Sequence, residues 1–386
     1  MVLSRTKLTA ILICISLAAV MVFESQSAAS YSTYLLALTV CWGFSAWSGL
    51  LKESFFWVFL GILGYTVLGC LWSEVFVWRD LLSVVTRALL VFTFVIGIAE
   101  CNAKMNLLPD ISRVLLLVGG FVVALTLINY FVLVPEDGRL RGLGQLDSHN
   151  IGALVYSTIL ILAIDRFRHE GHWHWMTVSI VVAALCISAI VLSGSRNSWI
   201  SLIIGLFVLV IAYNTADMRR FLKLLAGAMF CLGIVVLGLI VNDSIASIVF
   251  PRGDSFRFVI WQSVISDTIS SNIFFGHGTL TDDDVVIEGI GKFKHAHSLY
   301  FSTFYKGGLL GLTLVVLTIA YTVRSLLNNL RHPDAKLALG ILALALVSYI
   351  FDSHQLIDKV GASWLMLWLP VGTGLSFIWK KKEVDS

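Results

Sequence analysis

A few arginines outside the longest apolar runs of this chain could act together on one kind of ligand. Arg139 and Arg141 lie in the segment PEDGRLRGLGQLDSHN. Arg196 lies in the short segment SGSRNSW, and Arg257 opens the segment RFVIWQSVISD. A guanidinium is a planar fork of donors that binds pairs of phosphate oxygens and keeps its charge in proteins. Several such groups meeting at one place would suit a ligand that carries a diphosphate.

His295 and His297 close a polar stretch, 242–297, just before an apolar segment. Histidine titrates near neutral pH and can take a proton from a hydroxyl. A zinc site would need a further ligand, which His277 or the aspartates 282–284 could supply in principle. The H-x-H spacing alone is weak support for zinc, and the aspartates have the simpler interpretation of a solvated loop. We therefore expect no metal here.

The composition makes lipid the solvent of this chain. Of the 386 residues, 58% are hydrophobic and 13% are charged, whereas a soluble domain has about 25% charged residues. Only helices and closed barrels satisfy the backbone in lipid, and long continuous apolar runs favour helices. No basic run is long enough to indicate a nucleic-acid partner.

The pattern predicts an all-α fold, a polytopic membrane bundle of about twelve transmembrane helices. The predicted spans are 8–23, 31–51, 55–72, 80–99, 113–134, 150–165, 176–194, 197–213, 221–241, 298–323, 336–352 and 360–379. We expect residues 1–241 to form the first helices, 242–297 to form a long loop between helices 9 and 10, and 298–386 to form the remaining helices and a tail.

The lysines and arginines of the short loops predict the side that each loop occupies. If Arg5 and Lys7 are cytoplasmic, the same side receives most of the other short-loop cations, namely Lys52, Lys104, Arg113, Arg166, Arg168, Arg219, Arg220, Lys223, Arg324, Arg331, Lys336, Lys380, Lys381 and Lys382. Both termini are then cytoplasmic, and 242–297 lies on the opposite side. The first segment also resembles a signal peptide, but we expect it to be retained, because multi-span proteins usually keep their first helix.

The topology separates the arginines into two kinds. Arg139 and Arg252 can also be interpreted as ordinary solvated loop residues. Arginines can in addition bind lipid headgroups one by one, without meeting at a single ligand. Arg196 differs because apolar segments flank its turn closely. Its guanidinium must lie at the membrane edge or point into the bundle, where an ionisable group is costly and predicts a function.

The stretch Asp254–Ile269 has the spacing of an amphipathic helix, with Asp254 as its predicted N-cap. Arg257 and Trp261 are four residues apart and therefore share a face. An aromatic ring beside a cation is typical of a helix that lies at the bilayer surface. A plain interfacial anchor and a ligand-binding element are both compatible with this spacing.

The order of these motifs resembles the O-antigen ligase and O-antigen polymerase superfamily over about residues 110–325. The residues that carry the resemblance are Arg141, Gly142 and Asn150, then Ser193, Ser195 and Arg196, then Arg257 and Trp261, then Gly276 and Gly278, and finally His297, Ser298 and Tyr300. Two features depart from that pattern. The family often has His-Asn where this chain has His297-Ser298, and His277 between the two glycines is not expected.

The resemblance implies a membrane glycosyltransferase of the GT-C type in the bacterial inner membrane, with a periplasmic active site and no metal or other cofactor. The implied donor is an O-antigen linked to undecaprenyl diphosphate, and the implied acceptor is the lipid A–core oligosaccharide. Carried over residue by residue, Arg141, Arg196 and Arg257 would bind the diphosphate. His297 would activate the acceptor hydroxyl, with Arg196 and Arg257 beside it in catalysis.

Three further residues are candidates for secondary roles in the same site. They are Arg139, His295 and Trp261, each within four residues of a main candidate. The polar stretch 242–297 would then act as a lid over a lipid-facing cavity.

Other functions remain open from the sequence. An O-antigen polymerase, or a ligase that glycosylates a protein such as pilin, would share the donor chemistry. A secondary transporter would make use of Arg87 inside an apolar span and of Asp352 and His354 at the end of another. A non-catalytic membrane scaffold would tolerate substitution of every arginine.

Overall fold

Long helices dominate the computed structural model, which describes residues 4–43, 48–227, 256–282, 284–287, 291–353 and 355–385. The helices are α1 (Arg5–Val22), α2 (Gln26–Trp42), α3 (Ser54–Leu68), α4 (Trp78–Met105), α5 (Leu108–Leu133), α6 (His149–His169), α7 (Trp173–Ser193), α8 (Arg196–Asn214), α9 (Arg257–Asn272), α10 (Leu299–Asn328), α11 (Pro333–Phe351) and α12 (Leu369–Asp385). A π-helical turn, Trp364–Trp368, precedes α12.

The predicted helical membrane fold is confirmed. Nine helices within the described residues are long and apolar enough to cross a membrane. The helices α2 and α12, with 17 residues each, are at the short end of the range that spans a bilayer. Every predicted span except 221–241 overlaps a helix over most or part of its length. That span begins in a helical segment at 218–227, and its remainder lies outside the described residues.

The core of the bundle is built from large rings and close helix crossings. Phe94 of α4 packs on Trp364 with ring centroids 4.7 Å apart, and both side chains are fully buried. The helices α8 and α11 cross at two glycines, where a Cβ on Gly205 would lie 2.9 Å from the carbonyl oxygen of Gly340. Small residues at such crossings let helix backbones approach closely, which is the usual packing device in membranes.

One end of the bundle, here called the loop end, gathers the connections that carry the candidate residues. The amide of Leu140 donates to the carbonyl of Leu192 at 2.9 Å, which ties the segment after α5 to the turn before α8. The Gln26 amide donates to Asp358 at 3.0 Å, which ties the start of α2 to the segment after α11. The amide of Gln145 donates to the carbonyl of Phe23 at 3.3 Å.

The opposite end, here called the terminal end, holds both ends of the chain. Arg5 in the first turn of α1 forms an ion pair with the buried Glu100 of α4, and Lys104 reaches the same carboxylate at 3.0 Å. The Lys104 ammonium also lies 5.8 Å from the ring centre of Trp379 in α12. The two termini therefore share one end of the bundle. Its location in the cytoplasm stays a prediction.

The helix α10 is interrupted at Gly308, whose φ of 60° and ψ of −160° are not helical. The segment 273–278 supplies hydrogen-bond partners for the backbone groups that this interruption leaves unpaired within the helix. The amides of His277 and Gly278 donate to the carbonyls of Tyr305 and Lys306, both at 2.9 Å. Two amides beyond the break, those of residues 309 and 310, donate to the carbonyls of residues 273 and 274. The Gly-x-Gly motif is thus the partner of a broken helix.

The segment before α10 contains the predicted interfacial helix and a small hairpin that the sequence analysis did not predict. The hairpin pairs β1 (Val285–Ile287) with β2 (Gly291–Phe293). The helix is observed as α9, Arg257–Asn272, and it starts after Phe256, which has a φ of +61°. The predicted cap at Asp254 lies outside the described residues. Ile260 and Val264 of α9 are buried against Val285 and Ala296, whereas Phe258 and Ile269 are exposed.

Candidate functional site

The two histidines lie directly before α10, in a bend that brings their rings together. His297 has a φ of +50°, and the ring centroids of His295 and His297 are 4.1 Å apart. The backbone amide of His297 donates to Nδ1 of His295 at 3.3 Å. Because Nδ1 of His295 accepts this bond, the proton of the neutral ring is assigned to Nε2.

Trp261 of α9 holds the backbone between these histidines. Its indole nitrogen donates to the carbonyl oxygen of Ala296 at 2.9 Å. Its ring is stacked on Phe301 at a centroid distance of 4.9 Å and lies 6.4 Å from the ring of Phe351. Trp261, a predicted secondary site residue, therefore lies in direct contact with the histidine segment.

The carboxyl end of α11 is the meeting point of the elements that carry the main candidates. The Ser298 hydroxyl donates to the carbonyl of Tyr349 at 3.3 Å, which attaches the start of α10. The Asn197 amide donates to the carbonyl of Ser348 at 3.3 Å, which attaches the start of α8. His297 and Arg196, the respective neighbours of Ser298 and Asn197, are therefore positioned by the same turn of α11.

Arg196 is the first residue of α8. Ser195 caps this helix, accepting from the amide of Ser198 at 3.4 Å. The Ser195 hydroxyl also donates to Oδ1 of Asn150 at 2.8 Å, which joins the start of α8 to the start of α6. The amino end of a helix favours negative charge, and Arg196 is the first residue at that end, so the helix and the arginine would both favour an anion there.

Arg139 and Arg141 lie beside the same turn but have different partners. The Nε of Arg139 donates to the carbonyl of Ser193 at 2.9 Å. Arg141 is exposed and forms an ion pair of 3.4 Å with Asp137. The Arg139 backbone amide, followed by the Arg141 side chain, holds the pKa of Asp137 below its usual range. Asp137 is therefore ionised at neutral pH, and any other anion that binds Arg141 must compete with it for the guanidinium.

Arg257 is the first residue of α9. Its Nε is buried and has no hydrogen-bond partner within the described part of the chain. A buried donor without a partner is costly, and it is commonly explained by a missing ligand or water. The helix also carries Trp261, four residues later, so Arg257 belongs to the element that contacts the histidine segment.

A cavity of about 360 Å³ lies at the loop end and is lined by both histidines. Asn150 and Ser148, from the start of α6, line another wall. Tyr349 also lines the cavity, and its hydroxyl is buried without a hydrogen-bond partner among the described residues. A cavity with paired imidazoles can bind a polar group and take up a proton from it.

A larger cavity, of about 950 Å³, adjoins the smaller one, and His295 and Gln355 line both. Its walls carry charged groups that the sequence analysis did not assign to the candidate site, among them Arg87 and Lys306. The signal for Arg87 was its position within an apolar span. Lys306 also lies within a predicted apolar span, 298–323, but it was not singled out from the sequence.

Of the other residues considered as metal ligands, His277 lies outside both cavities, whereas Asp282 and Asp284 line the larger one. His277 stacks on Tyr305 with centroids 4.2 Å apart, and its Nε2 is 3.0 Å from the Ser271 hydroxyl. Asp284 pairs with Lys292 at 2.6 Å, and this hydrogen bond raises the pKa of Lys292. Asp283 lies outside the described residues. No group of three or more His, Cys, Asp or Glu in the described segments could hold a metal ion, and the expected absence of a metal stays a prediction.

The structure thus brings some predicted residues together around one cavity and leaves others near it. His295 and His297 line the cavity. The turn bearing Arg196 and the helix bearing Arg257 adjoin its walls, and Arg141 points to Asp137 in a segment bonded to the Arg196 turn. Arg252 lies outside the described residues. Convergence of the guanidinium groups on one ligand stays a prediction.

Comparison with known proteins bears on the same segment. A family model described as O-antigen ligase matches residues 180–316, which include Arg196, Arg257, Trp261 and His297. An O-antigen ligase of Pseudomonas aeruginosa is 26% identical over 255 residues, which are 64% of this chain and 59% of the relative. The match thus spans somewhat more than half of that relative. Together, the two matches confirm the predicted resemblance of this chain to the O-antigen ligase superfamily.

Proposed function

We propose that the protein is an O-antigen ligase of the bacterial inner membrane. It would transfer a glycan from undecaprenyl diphosphate to a sugar hydroxyl of the lipid A–core oligosaccharide. The observation that carries the proposal is the position of His297. This residue lines a polar cavity at the loop end, inside the segment that matches the O-antigen ligase family, and the turn bearing Arg196 is anchored to the same end of α11.

The proposed reaction is a direct displacement at the anomeric carbon. The acceptor hydroxyl oxygen forms a bond to that carbon as the carbon–oxygen bond to the phosphate breaks. The electron pair of the broken bond stays on the diphosphate oxygen, and the hydroxyl proton passes to His297. Attack from the face opposite the leaving group inverts the anomeric centre. The diphosphate linkage supplies the driving force, so no nucleotide is needed.

The arginines would stabilise the charge that develops on the leaving diphosphate. Arg196 and Arg257 are the first residues of their helices, and such fixed cations need no solvent reorganisation as the bond breaks. Arg141 would contribute once the ligand competes with Asp137 for its guanidinium. We also propose that these arginines make a metal unnecessary, because they supply the positive charge that a divalent cation would provide.

The proposal places the loop end in the periplasm and the terminal end in the cytoplasm. Lys104, Arg113, Arg166, Arg168 and Lys336 all lie towards the terminal end, as the positive-inside rule requires. Labelling of single cysteines in inverted and right-side-out vesicles tests this orientation. A cysteine at position 137 should react with an impermeant maleimide only from the periplasmic side, and one at position 171 only from the cytoplasmic side.

A deletion strain distinguishes ligation from polymerisation. Loss of all O-antigen-capped lipopolysaccharide, with lipid-linked polymer accumulating, indicates a missing ligase. A band with a single repeat unit indicates a missing polymerase and would contradict the proposal. Unchanged lipopolysaccharide with an unglycosylated pilin would indicate a protein ligase instead.

A further inference from the structure

The larger cavity is a second polar chamber that the proposed transfer chemistry does not use. It lies between α3, α4 and α10 and is also lined by the segment after α11. Its volume of about 950 Å³ is at the upper end of the range for small-ligand sites. Because His295 and Gln355 line both cavities, a ligand in the larger one would approach the histidines from the side away from Asn150.

Arg87 carries a positive charge deep in this cavity. It is nine residues after Trp78, the first residue of α4, which puts its backbone about 13 Å below the start of the helix. Its Nη2 donates to the Ser83 hydroxyl at 3.0 Å, and Ser83 lies one turn nearer the loop end. Its Nε is buried and has no hydrogen-bond partner among the described residues. A cation held at this depth is costly and needs a reason.

The remaining lining groups suit an anionic carbohydrate. Lys306 lies at the break in α10, where its carbonyl accepts from Gly278, and its side chain lines the cavity. Residues with hydroxyl groups line it as well, namely Tyr65, Thr66, Thr279, Thr281, Ser302 and Thr303. The hydroxyls of the first four donate to backbone carbonyls. Asp80 and Asp282 also line it, so the walls carry both signs, while the charge of Asp284 is matched by Lys292 at 2.6 Å. A cavity lined by Arg87, Lys306 and several residues with hydroxyl groups suits a sugar that carries a phosphate or carboxylate group.

We propose that Arg87, with Lys306, binds a phosphate group on the head of the acceptor glycolipid. This inference rests on the proposed function, because it assigns the larger cavity to the acceptor and leaves the diphosphate of the donor to the arginines near α11. The two substrates would then reach the histidines from opposite sides, with His295 at the boundary. The donor diphosphate is the other possible source of the same chemistry, and the binding measurements separate the two.

The test uses the purified full-length protein in nanodiscs and three lipid probes. They are bisphosphorylated lipid A, the same lipid A after enzymatic removal of its phosphates, and undecaprenyl diphosphate. The variants are Arg87→Gln and Arg87→Lys, with Arg79→Gln as the matched control. Arg79 is exposed in the first turn of the same helix and does not line either cavity described above.

We expect wild-type protein and the Arg79→Gln variant to bind bisphosphorylated lipid A about tenfold more tightly than the dephosphorylated lipid, the value of one charge-assisted hydrogen bond. Arg87→Gln should lose this preference, Arg87→Lys should keep part of it, and all should bind undecaprenyl diphosphate equally. Equal wild-type affinity for the two forms of lipid A would overturn the proposal even if Arg87→Gln does not fold. A loss confined to undecaprenyl diphosphate would overturn the assignment to the acceptor.

A transfer assay on the same preparations separates this inference from the proposed function. Glycan transfer by the wild-type protein, without phosphate-dependent binding at Arg87, would overturn the acceptor site and leave the ligase standing. Phosphate-dependent binding that Arg87→Gln abolishes, in a wild-type protein that transfers no glycan, would support the anion site and overturn the ligase.

Discussion

The Ser195 hydroxyl donates a hydrogen bond of 2.8 Å to Oδ1 of Asn150. This bond joins the first turns of α6 and α8 at the edge of the cavity that His297 lines. Ser195 also caps the helix that starts with Arg196. A single polar contact therefore links the proposed phosphate-binding turn to the wall of the cavity where the proton would be removed.

The contact can be measured by a double-mutant cycle on transfer kinetics. Asn150→Ala and Ser195→Ala should each lower kcat/KM by about tenfold, because each removes the same side-chain hydrogen bond near the cavity. Ser195→Ala also removes the cap of α8, so the double variant should be little worse than Ser195→Ala alone, since the bond to Asn150 is lost only once. Asn214→Ala serves as the control, because Asn214 is exposed and bonds only within its own helix, to Val210. Fully additive losses would contradict the coupling.

Trp261 is predicted to position the histidines without touching the substrate. Trp261→Phe keeps a ring on Phe301 but removes the bond to the Ala296 carbonyl. We expect kcat to fall about two- to tenfold, which corresponds to the free energy of one hydrogen bond to the backbone. The donor KM should stay unchanged. Trp173→Phe, at an exposed ring near the terminal end, should have no effect. A rise in donor KM with constant kcat would assign Trp261 to binding instead.

The Gly-x-Gly motif is predicted to be structural, as the partner of the break in α10. Gly278 has a φ of +96°, and a Cβ there would lie 2.6 Å from the backbone nitrogen of Ser73. Gly278→Ala should therefore lower the free energy of unfolding by about 1–3 kcal/mol, seen as a lower melting temperature in detergent. Gly171→Ala is the control, because nothing lies within 4 Å of a Cβ there. Equal melting temperatures for the two variants would disprove this role.

Asp137 is predicted to compete with the donor for Arg141 at all physiological pH values. Its pKa in the folded protein is lower than the ordinary value of 3.8. Because folding lowers this pKa, the contacts of ionised Asp137 stabilise the protein fully at pH values above the ordinary pKa. This stabilisation is lost only as the pH falls through the pKa of the folded protein. Asp137→Asn should thus lower the donor KM about two- to threefold at neutral pH, a small effect because the pair is exposed.

The control for Asp137→Asn is Asp110→Asn. Asp110 forms a similar exposed ion pair with Arg113, 3.3 Å long, towards the terminal end. Its substitution should leave the donor KM unchanged. A donor KM that rises in Asp137→Asn would show that the carboxylate helps to hold the donor site together, which would contradict the competition.

The spans and the common end of the candidate residues could be predicted because lipid enforces them. A helix in a bilayer must be long, apolar and internally hydrogen-bonded, so the apolar runs located the helices, although the predicted end of α2 at 51 lies nine residues beyond its observed end at Trp42. An even number of spans between the Arg139 segment and the Arg196 turn then put them at the same end. The observed bond between Leu140 and Leu192 agrees with that count.

The features that escaped prediction depend on contacts between distant segments. The break at Gly308 is stable only because residues 273–278 supply its missing hydrogen bonds, and no local pattern encodes such a partner. The β1–β2 hairpin has strands of three residues each, too short for an alternating pattern to be recognised. Arg87 was noticed as unusual, but its place beside Lys306 in one cavity depends on how α4 and α10 pack.

The central claim is that His297 removes the proton of the acceptor hydroxyl during glycan transfer. Purified protein, undecaprenyl-diphosphate-linked O-antigen and lipid A–core should together yield capped lipopolysaccharide. His297→Ala should lower kcat by about 10²–10⁴-fold, the usual contribution of a general base, and should still bind the donor. His172→Ala, at an exposed residue near the terminal end, should retain full activity. Transfer by His297→Ala at the wild-type rate would contradict the account.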